Sequence, residues 1–340
     1  MIIPVNLDPD SYEILLEPGC LRRAGEVWNL RRKVLIVTDD GVPAAYARTL
    51  AEQCGQPAVV CLPRGEETKS LESFRMLLSR MLDFGMTRHD CVAAVGGGVV
   101  GDLAGFTAAC WMRGIDFYNM PTTVLAQVDS SIGGKTAVNL EGVKNIVGAF
   151  HQPRGVLADP ETLRTLPPRQ VANGLAEAVK MALCFDAAGF ARFEGEDLLA
   201  DLTPVIADSM RCKKAVVEQD EREKGLRQAL NFGHTLGHGI ESLHGENGLL
   251  HGECVALGML PMCSPPVRER LLPVLRRLGL PTACGADPDR VMAAVLHDKK
   301  ARDGGITAVT VETVGQCELR RMSPEELRER FVHCFGSGVS

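Results

Sequence analysis

The first half of the chain carries short apolar runs that each stop at a polar or glycine-rich step. Val34-Leu35-Ile36-Val37-Thr38 runs into Asp39-Asp40-Gly41. Cys91-Val92-Ala93-Ala94-Val95 runs straight into Gly96-Gly97-Gly98-Val99-Val100-Gly101-Asp102. Runs of this kind, without alternation, fit strands buried on both faces, as in a parallel sheet. Further strands are expected at 58–62, 117–120 and 155–158, with a β-ribbon in residues 1–30 around Tyr12-Glu13-Ile14-Leu15-Leu16. Between them the period becomes helical, near 43–54, over 71–84 and at 103–112. In the second of these Leu71, Phe74, Leu77, Leu78 and Met81 form one stripe, with Ser70 placed to cap its start and Gly85 its end.

Leu166-Pro167-Pro168-Arg169 marks a boundary. Beyond it the pattern predicts helices at 171–183, 210–217, around 226–239, 254–260, 269–278 and 288–296, with Pro261 and Pro265-Pro266 as breaks. A short β-rich piece at 306–319 and a helix at 324–334 close the pattern. The expected fold class is α/β for residues 1–166, followed by a mostly α-helical domain over 167–340.

Composition narrows the function. The 340 residues are 45% apolar and 24% charged, as in a soluble globular protein. A net charge of −6 and an isoelectric point of about 5.8 argue against a nucleic-acid partner. No apolar run reaches membrane-spanning length, and the opening residues lack the layout of a signal peptide. None of the twelve cysteines forms a Cys-x-x-Cys pair, and several (Cys91, Cys110, Cys184, Cys254) sit in apolar segments. They are expected as reduced core residues of a cytoplasmic protein.

The richest stretch is 225–253, which holds four of the eight histidines: His234, His238, His244 and His251. Read as one helix, Arg227, Asn231, His234 and His238 stack on a single face at spacings of 4, 3 and 4. Gly233, Gly237 and Gly239 would each cost that helix roughly 1 kcal/mol relative to Ala, so something is expected to press closely against it. A histidine pair alone is commonly surface decoration. Extended by Asn and Arg, and followed by His251-Gly252-Glu253, it points to a metal or acid–base site. Thr235 stands where a His-Glu-x-x-His protease helix needs Glu.

Gly96-x-Gly98-x-x-Gly101 between a strand and a helix has the context of a dinucleotide loop, though a tight strand–helix turn would read the same. It follows a later strand than the first, unlike a standard Rossmann domain. Asp129-Ser130-Ser131-Ile132-Gly133-Gly134-Lys135-Thr136 mimics the end of a Walker A loop but has Asp129 for its first glycine, which excludes an ATPase. What remains is a Gly-Gly turn presenting Lys135, followed by Lys144-Asn145. Several lysines in glycine-rich loops of an acidic protein suit a phosphate or carboxylate ligand. Glu177 and Lys180, at i and i+3, read in isolation as a common ion pair.

Taken together these motifs resemble the 3-dehydroquinate synthases, a shikimate-pathway family within the sugar-phosphate cyclases. The resemblance runs from about Val34 to Gly315. It rests on Gly-Gly-Gly-Val-Val-Gly-Asp-Leu-Ala-Gly-Phe, Pro-Thr-Thr-Val-Leu-Ala-Gln-Val-Asp-Ser-Ser-Ile-Gly-Gly-Lys-Thr, Asn-Gly-Leu-Ala-Glu, Asp-Glu-Arg-Glu-x-Gly-Leu-Arg, Asn-Phe-Gly-His-Thr-Leu-Gly-His and His-Gly-Glu. It implies a Rossmann-like N-terminal domain that binds NAD, a helical C-terminal domain, and an active site between them. Glu177, His234 and His251 would hold the metal, zinc ordinarily and cobalt as the alternative. NAD contacts would come from Asp39, Glu66, Lys69, Gly97, Gly98, Val99, Asp102, Thr122 and Thr123, with Asp129, Lys135 and Lys144 beside them. Substrate groups would be Asp129, Lys135, Lys144, Asn145, Lys180, Lys214, Arg227, Asn231, His238 and Lys299, with Lys300 as the alternative to the last. Among these, His238, Lys135, Lys180, Lys214, Arg227 and Asn231 would carry the catalysis. An arginine matching Arg113 reaches the neighbouring subunit's phosphate site in the family, which implies a homodimer.

The implied reaction closes 3-deoxy-D-arabino-heptulosonate 7-phosphate to 3-dehydroquinate with loss of phosphate. It proceeds by transient oxidation with NAD, elimination, re-reduction and aldol closure. Rival readings are a sister cyclase with another sugar phosphate, a metal- and NAD-dependent polyol dehydrogenase, and an inactive paralogue. One departure stands out: Met259-Leu260-Pro261-Met262-Cys263-Ser264-Pro265-Pro266 interrupts a segment that is a longer helix in many relatives, leaving the ligands intact.

Overall fold

The structure is a computed structural model and describes residues 1–195, 197–244, 248–298 and 305–336, the side chains of His244 and Asp298 excepted. The described residues form two compact units, Met1–Pro167 and Pro168–Ser340.

The strands of the first unit are β1 (Ile2–Val5), β2 (Tyr12–Leu16), β3 (Lys33–Asp39), β4 (Gln56–Leu62), β5 (Cys91–Gly96), β6 (Asp116–Pro121), β7 (Lys135–Leu140), β8 (Val143–Phe150) and β9 (Gly155–Ala158). Its helices are α1 (Ala24–Val27), α2 (Ala44–Ala51), α3 (Leu71–Asp83) and α4 (Gly98–Cys110). Seven strands form one sheet in the order β1-β2-β9-β6-β5-β3-β4, parallel from β2 to β4, with β1 antiparallel at the edge. Both faces are covered, which is why β3 and β5 read as unbroken apolar runs. Val34, Leu35, Ile36 and Val37 are all fully buried, each stabilising the fold by about 1.5–3 kcal/mol. One face packs on α3 and α4, through Leu77, Met81, Leu103 and Phe106. The other packs on α2 and the segment holding Cys20, Leu21 and Trp28. Ser70 caps α3 as expected, its Oγ accepting from the Ser73 amide at 3.2 Å.

Counting β3 as the first strand of the parallel core, the order β4-β3-β5-β6-β9 is 2-1-3-4-5. The chain reverses direction across the sheet between β3 and β5, and ligands of open α/β sheets bind outside the carboxyl ends at such a switch point. This explains why the glycine motif follows a later strand: that strand is the one at the reversal. The glycine motif also opens α4 at Gly98, five residues earlier than the expected 103.

Two elements depart from the sequence reading of this unit. Residues 135–150 fold into the antiparallel β7–β8 hairpin, turned at Glu141 and Gly142, both with positive φ (49° and 79°). Nothing but the Glu-Gly step announced it, because β8 is largely exposed and only Val147 and Ala149 of it pack against the core. Cys110, expected in the core, is exposed at the end of α4.

The second unit contains α5 (Pro168–Phe185), α6 (Ala187–Gly195), α7 (Thr203–Gln219), α8 (His234–His244), α9 (His251–Met259), α10 (Pro265–Arg277), α11 (Pro288–Asp298) and α12 (Pro324–Phe335). The antiparallel pair β10 (Ile306–Thr313) and β11 (Gln316–Met322) lies among them. Pro265-Pro266 begins α10 instead of breaking the chain ahead of it, because proline is well suited to the first turn. Among the described residues no helix is long and apolar enough to cross a membrane.

Candidate metal and cofactor sites

Alanine-rich α5 is buried without interruption from Ala172 to Cys184, and that run includes two charged side chains. Glu177 and Lys180 are 1–2% exposed, with Lys180 Nζ 2.5 Å from Glu177 Oε2. The pair is therefore part of the interior and not a surface ion pair. Burying two charges is costly unless further partners compensate.

The expected single helix over 226–239 is two pieces. Leu226–Asn231 is a 3₁₀ turn, Phe232 is extended and Gly233 takes φ +78° before α8 begins at His234. A side chain at Gly233 would meet Val255 O and Met259 on α9, so the break is where the backbones come closest. The tight packing inferred from the glycines is present: Gly237 faces Cys254 and Val255 on α9, and Gly239 faces Val291 and Val295 on α11. His234 and His238 do share a face of α8, their rings 5.3 Å apart.

The first turn of α9 supplies His251, and its position is fixed by α5. Asn173 Oδ1 accepts the Gly252 amide at 2.6 Å, and a Cβ on Gly252 would collide with the Asn173 carbonyl. Glu253 accepts the Leu250 amide at 2.7 Å and a two-pronged bond from Arg169, both prongs 2.7 Å. The Asn-Gly-Leu-Ala-Glu and His-Gly-Glu motifs thus fit into each other, and their meeting brings Glu177 to His251.

Donor atoms of Glu177, His234 and His251 all lie within 4.8 Å of one another. Glu177 Oε1 is 3.6 Å from His234 Nε2 and 3.3 Å from His251 Nε2. His234 Nδ1 lies 3.1 Å from the Phe232 carbonyl, which can only accept, so Nδ1 bears the proton. Burial pushes His234 down to about 3, against the pull of Glu177, so the ring is neutral. Its Nε2 lone pair therefore points at a carboxylate oxygen. Two electron pairs facing each other in the interior suit a cation. Both Glu177 oxygens are also buried without a well-formed hydrogen bond. Burial acts to raise the Glu177 carboxyl, but Lys180, His234 and His251 hold it well below the usual range. Burial lowers His251, but Glu177 and Glu241 outweigh it and push the ring up to about 10. One carboxylate and two imidazoles form a donor set that fits zinc or cobalt and leaves positions for substrate oxygens.

The other expected residues of this unit are dispersed over its elements. Lys214, on α7, lies 3.0 Å from Glu218. Arg227 is 2% exposed and donates to the Glu221 carbonyl, while Asn231 donates to Glu223 at 3.1 Å. Lys299 and Lys300 lie outside the described residues.

In the first unit the switch point is flanked by Asp39, at the end of β3, and by the β5–α4 turn with Gly97, Gly98 and Val99. Burial raises the Asp39 carboxyl, opposed by the amides of Gly41 and Val42. No side chain caps α4, so its first amides are turned outward at the helix's positive end, as a pyrophosphate requires. Thr122 closes the turn through a 2.9 Å bond from its amide to Gly96 O, and Thr123 Oγ1 accepts the Ala126 amide at 3.1 Å. Lys69, 5% exposed, contacts Asp102 at 2.5 Å and Asn145 Oδ1. Asp129 lies in a π-helical turn, and Lys135, Lys144 and Asn145 are exposed on the hairpin. Arg113 is exposed, with φ +72° after Met112 at +48°.

The sequence reading missed Asn139. Its Nδ2 donates to Glu66 and its Oδ1 accepts the Asn145 amide, both at 2.8 Å, joining the 66–69 loop to the hairpin tip. It also gave no role to Asn173, Arg169 or Glu241, although Glu241 continues the His234 and His238 row at i+3 of His238 and Asn173 opens the Asn-Gly-Leu-Ala-Glu motif.

Two family models match the chain: 3-dehydroquinate synthase N-terminal over residues 59–173 and 3-dehydroquinate synthase C-terminal over 174–301. A 3-dehydroquinate synthase of Enterococcus faecalis is 40% identical over 350 residues, covering 96% of this chain and 98% of that one. The crystal structure of 2-deoxy-scyllo-inosose synthase with carbaglucose-6-phosphate, NAD+ and Co2+ superposes with a TM-score of 0.88 at 26% identity, covering 98% and 100%. The 2-epi-5-epi-valiolone synthase of Streptomyces hygroscopicus, with NAD+ and Zn2+ bound, gives 0.87 at 28%, covering 97% and 98%.

Proposed function

The chain belongs to the 3-dehydroquinate synthase family, and on that premise we propose that it closes 3-deoxy-D-arabino-heptulosonate 7-phosphate to 3-dehydroquinate, releasing phosphate, with NAD and one divalent ion. It is a carbon–oxygen lyase acting on a phosphate. The observation that carries the site assignment is the His234 lone pair turned on the buried Glu177 carboxylate.

Glu177, His234 and His251 hold the ion, zinc in the first instance and cobalt as the alternative. Asp39, Gly97, Gly98, Val99, Glu66, Lys69, Asp102, Thr122 and Thr123 hold NAD, with Asp129, Lys135 and Lys144 beside them. When bound, NAD accepts and returns a hydride, and the ion stabilises negative charge on substrate oxygens. The remaining work belongs to the chain's own side chains. Lys135, Lys144, Asn145, Lys214, Arg227 and Asn231 bind the phosphate and carboxylate ends, which keeps the opened chain in reach of its own ketone for ring closure. His238, its ring 5.3 Å from His234 and 5.9 Å from His251, moves the proton lost as phosphate leaves, a role typically worth roughly 10²–10⁴ in rate. Lys180 keeps Glu177 ionised. Arg113 reaches the phosphate of a second copy, which makes the working form a homodimer, and the setting is the cytoplasm.

Removal of metal tests the reading. Chelator-treated protein, given the heptulosonate phosphate and NAD, should release no phosphate and regain release on adding zinc or cobalt. Phosphate release unchanged by chelation would refute the metal assignment.

A further inference from the structure

His251 is engaged at both ring nitrogens. Nε2 lies 3.3 Å from Glu177 Oε1, and Nδ1 lies 3.2 Å from Glu241 Oε2. Both carboxylates only accept, so without an ion the ring donates from both nitrogens. An ion held with Glu177 and His234 would take the place of the Nε2 proton and leave Nδ1–H donating to Glu241. Glu241 stands on α8 two turns after His234 and one after His238, with 18% of its side chain exposed. From there it reaches across to α9.

The two histidine ligands are oriented by different means. His234 bonds to a main-chain carbonyl, which no side-chain change removes. His251 depends on a side chain. We infer that Glu241 is a positioning residue of the metal centre, fixing the tautomer and ring plane of His251 and so setting how tightly the ion is held. The inference rests on the reading of Glu177, His234 and His251 as ligands. A carboxylate behind a ligating imidazole also makes the ring a stronger donor, and loss of such a partner typically weakens binding by roughly 10–100-fold. The donor atoms of His238, Glu241 and His251 also lie within 4.8 Å of each other. For those three to bind a second ion, His251 would have to surrender both ring protons, whereas positioning requires only the neutral ring.

The test is a zinc titration against a chromophoric chelator, on wild type, Glu241→Gln and Glu241→Ala, with nitrogen NMR of the His251 ring. One ion per chain is expected in all three. Affinity should fall about 10–100-fold in Glu241→Ala, and less in Glu241→Gln, whose amide oxygen still accepts from Nδ1 but carries no charge. The NMR should show Nδ1 protonated in zinc-loaded wild type and a mixed tautomer in Glu241→Ala, which a merely structural change would not produce. Equal affinity in the three proteins would overturn the inference alone. So would a second ion in wild type that Glu241→Ala loses, since Glu241 would then be a ligand. A wild-type chain that binds no zinc would overturn the metal reading itself, and the inference with it.

Discussion

The side-chain oxygen of Asn173 accepts the amide of Gly252 at 2.6 Å, and this bond fastens the start of α9 to α5. Glu177 follows Asn173 by one helical turn and His251 precedes Gly252, so the bond sets the distance between two of the proposed metal ligands. Gly252→Ala should push α9 off α5. The expected cost is about 1–3 kcal/mol of stability, as for overpacking elsewhere, with weaker zinc binding. Denaturant midpoints and a chelator titration check both; unchanged zinc affinity would mean the contact does not position His251.

Glu177→Gln keeps shape and removes charge. It should abolish stoichiometric zinc and turnover. Lys180 also loses its buried counter-charge, so the metal-free protein should lose up to about 3–5 kcal/mol. Adding Lys180→Met should recover part of that stability without restoring zinc. A Glu177→Gln protein with one zinc per chain would remove the residue from the ligand set.

Asn139 is expected to couple the two loops it joins. Losing two hydrogen bonds of ordinary strength, Asn139→Ala should weaken NAD binding by about tenfold, since a tenfold change corresponds to about 1.4 kcal/mol. KM for the phosphate substrate should rise with it. NAD titration by tryptophan fluorescence would show this, and an unchanged constant would argue that the hairpin is independent of the 66–69 loop.

Stability should depend on pH through His151. Burial lowers this ring below its ordinary value, partly opposed by the 2.9 Å bond from Nε2 to the Ile115 carbonyl. The unfolded chain then binds the proton more readily than the folded one. Stability is therefore complete above about 6.5, the unfolded value, and falls as pH drops below it towards the lowered folded value. Urea midpoints at pH 7.5, 6.5 and 5.5 should decline more for wild type than for His151→Gln. Parallel declines would contradict the assignment.

The parallel strands were legible because burial on both faces leaves an apolar run in one dimension, as at 34–38 and 91–95. Their order was not legible, because nothing local records which strand lies beside which. The break at Gly233 was hidden by residues that keep helical spacing across it, and only the approach of α9 shows why it is there. Glu177 and Lys180 looked like any i, i+3 pair, since burial belongs to what packs around α5. Only the family resemblance singled Glu177 out as a ligand. Glu241 carried no such mark. Its meaning comes from α9 lying opposite, a relation made by the fold alone.

The most direct test is a turnover assay with 3-deoxy-D-arabino-heptulosonate 7-phosphate, catalytic NAD and zinc, following phosphate, NADH and the carbocycle together. Equimolar phosphate and 3-dehydroquinate with no lasting NADH is the predicted result. NADH building up in proportion to product would contradict it in favour of a dehydrogenase. A cyclitol formed from another sugar phosphate, with the heptulosonate untouched, would contradict it in favour of a sister cyclase.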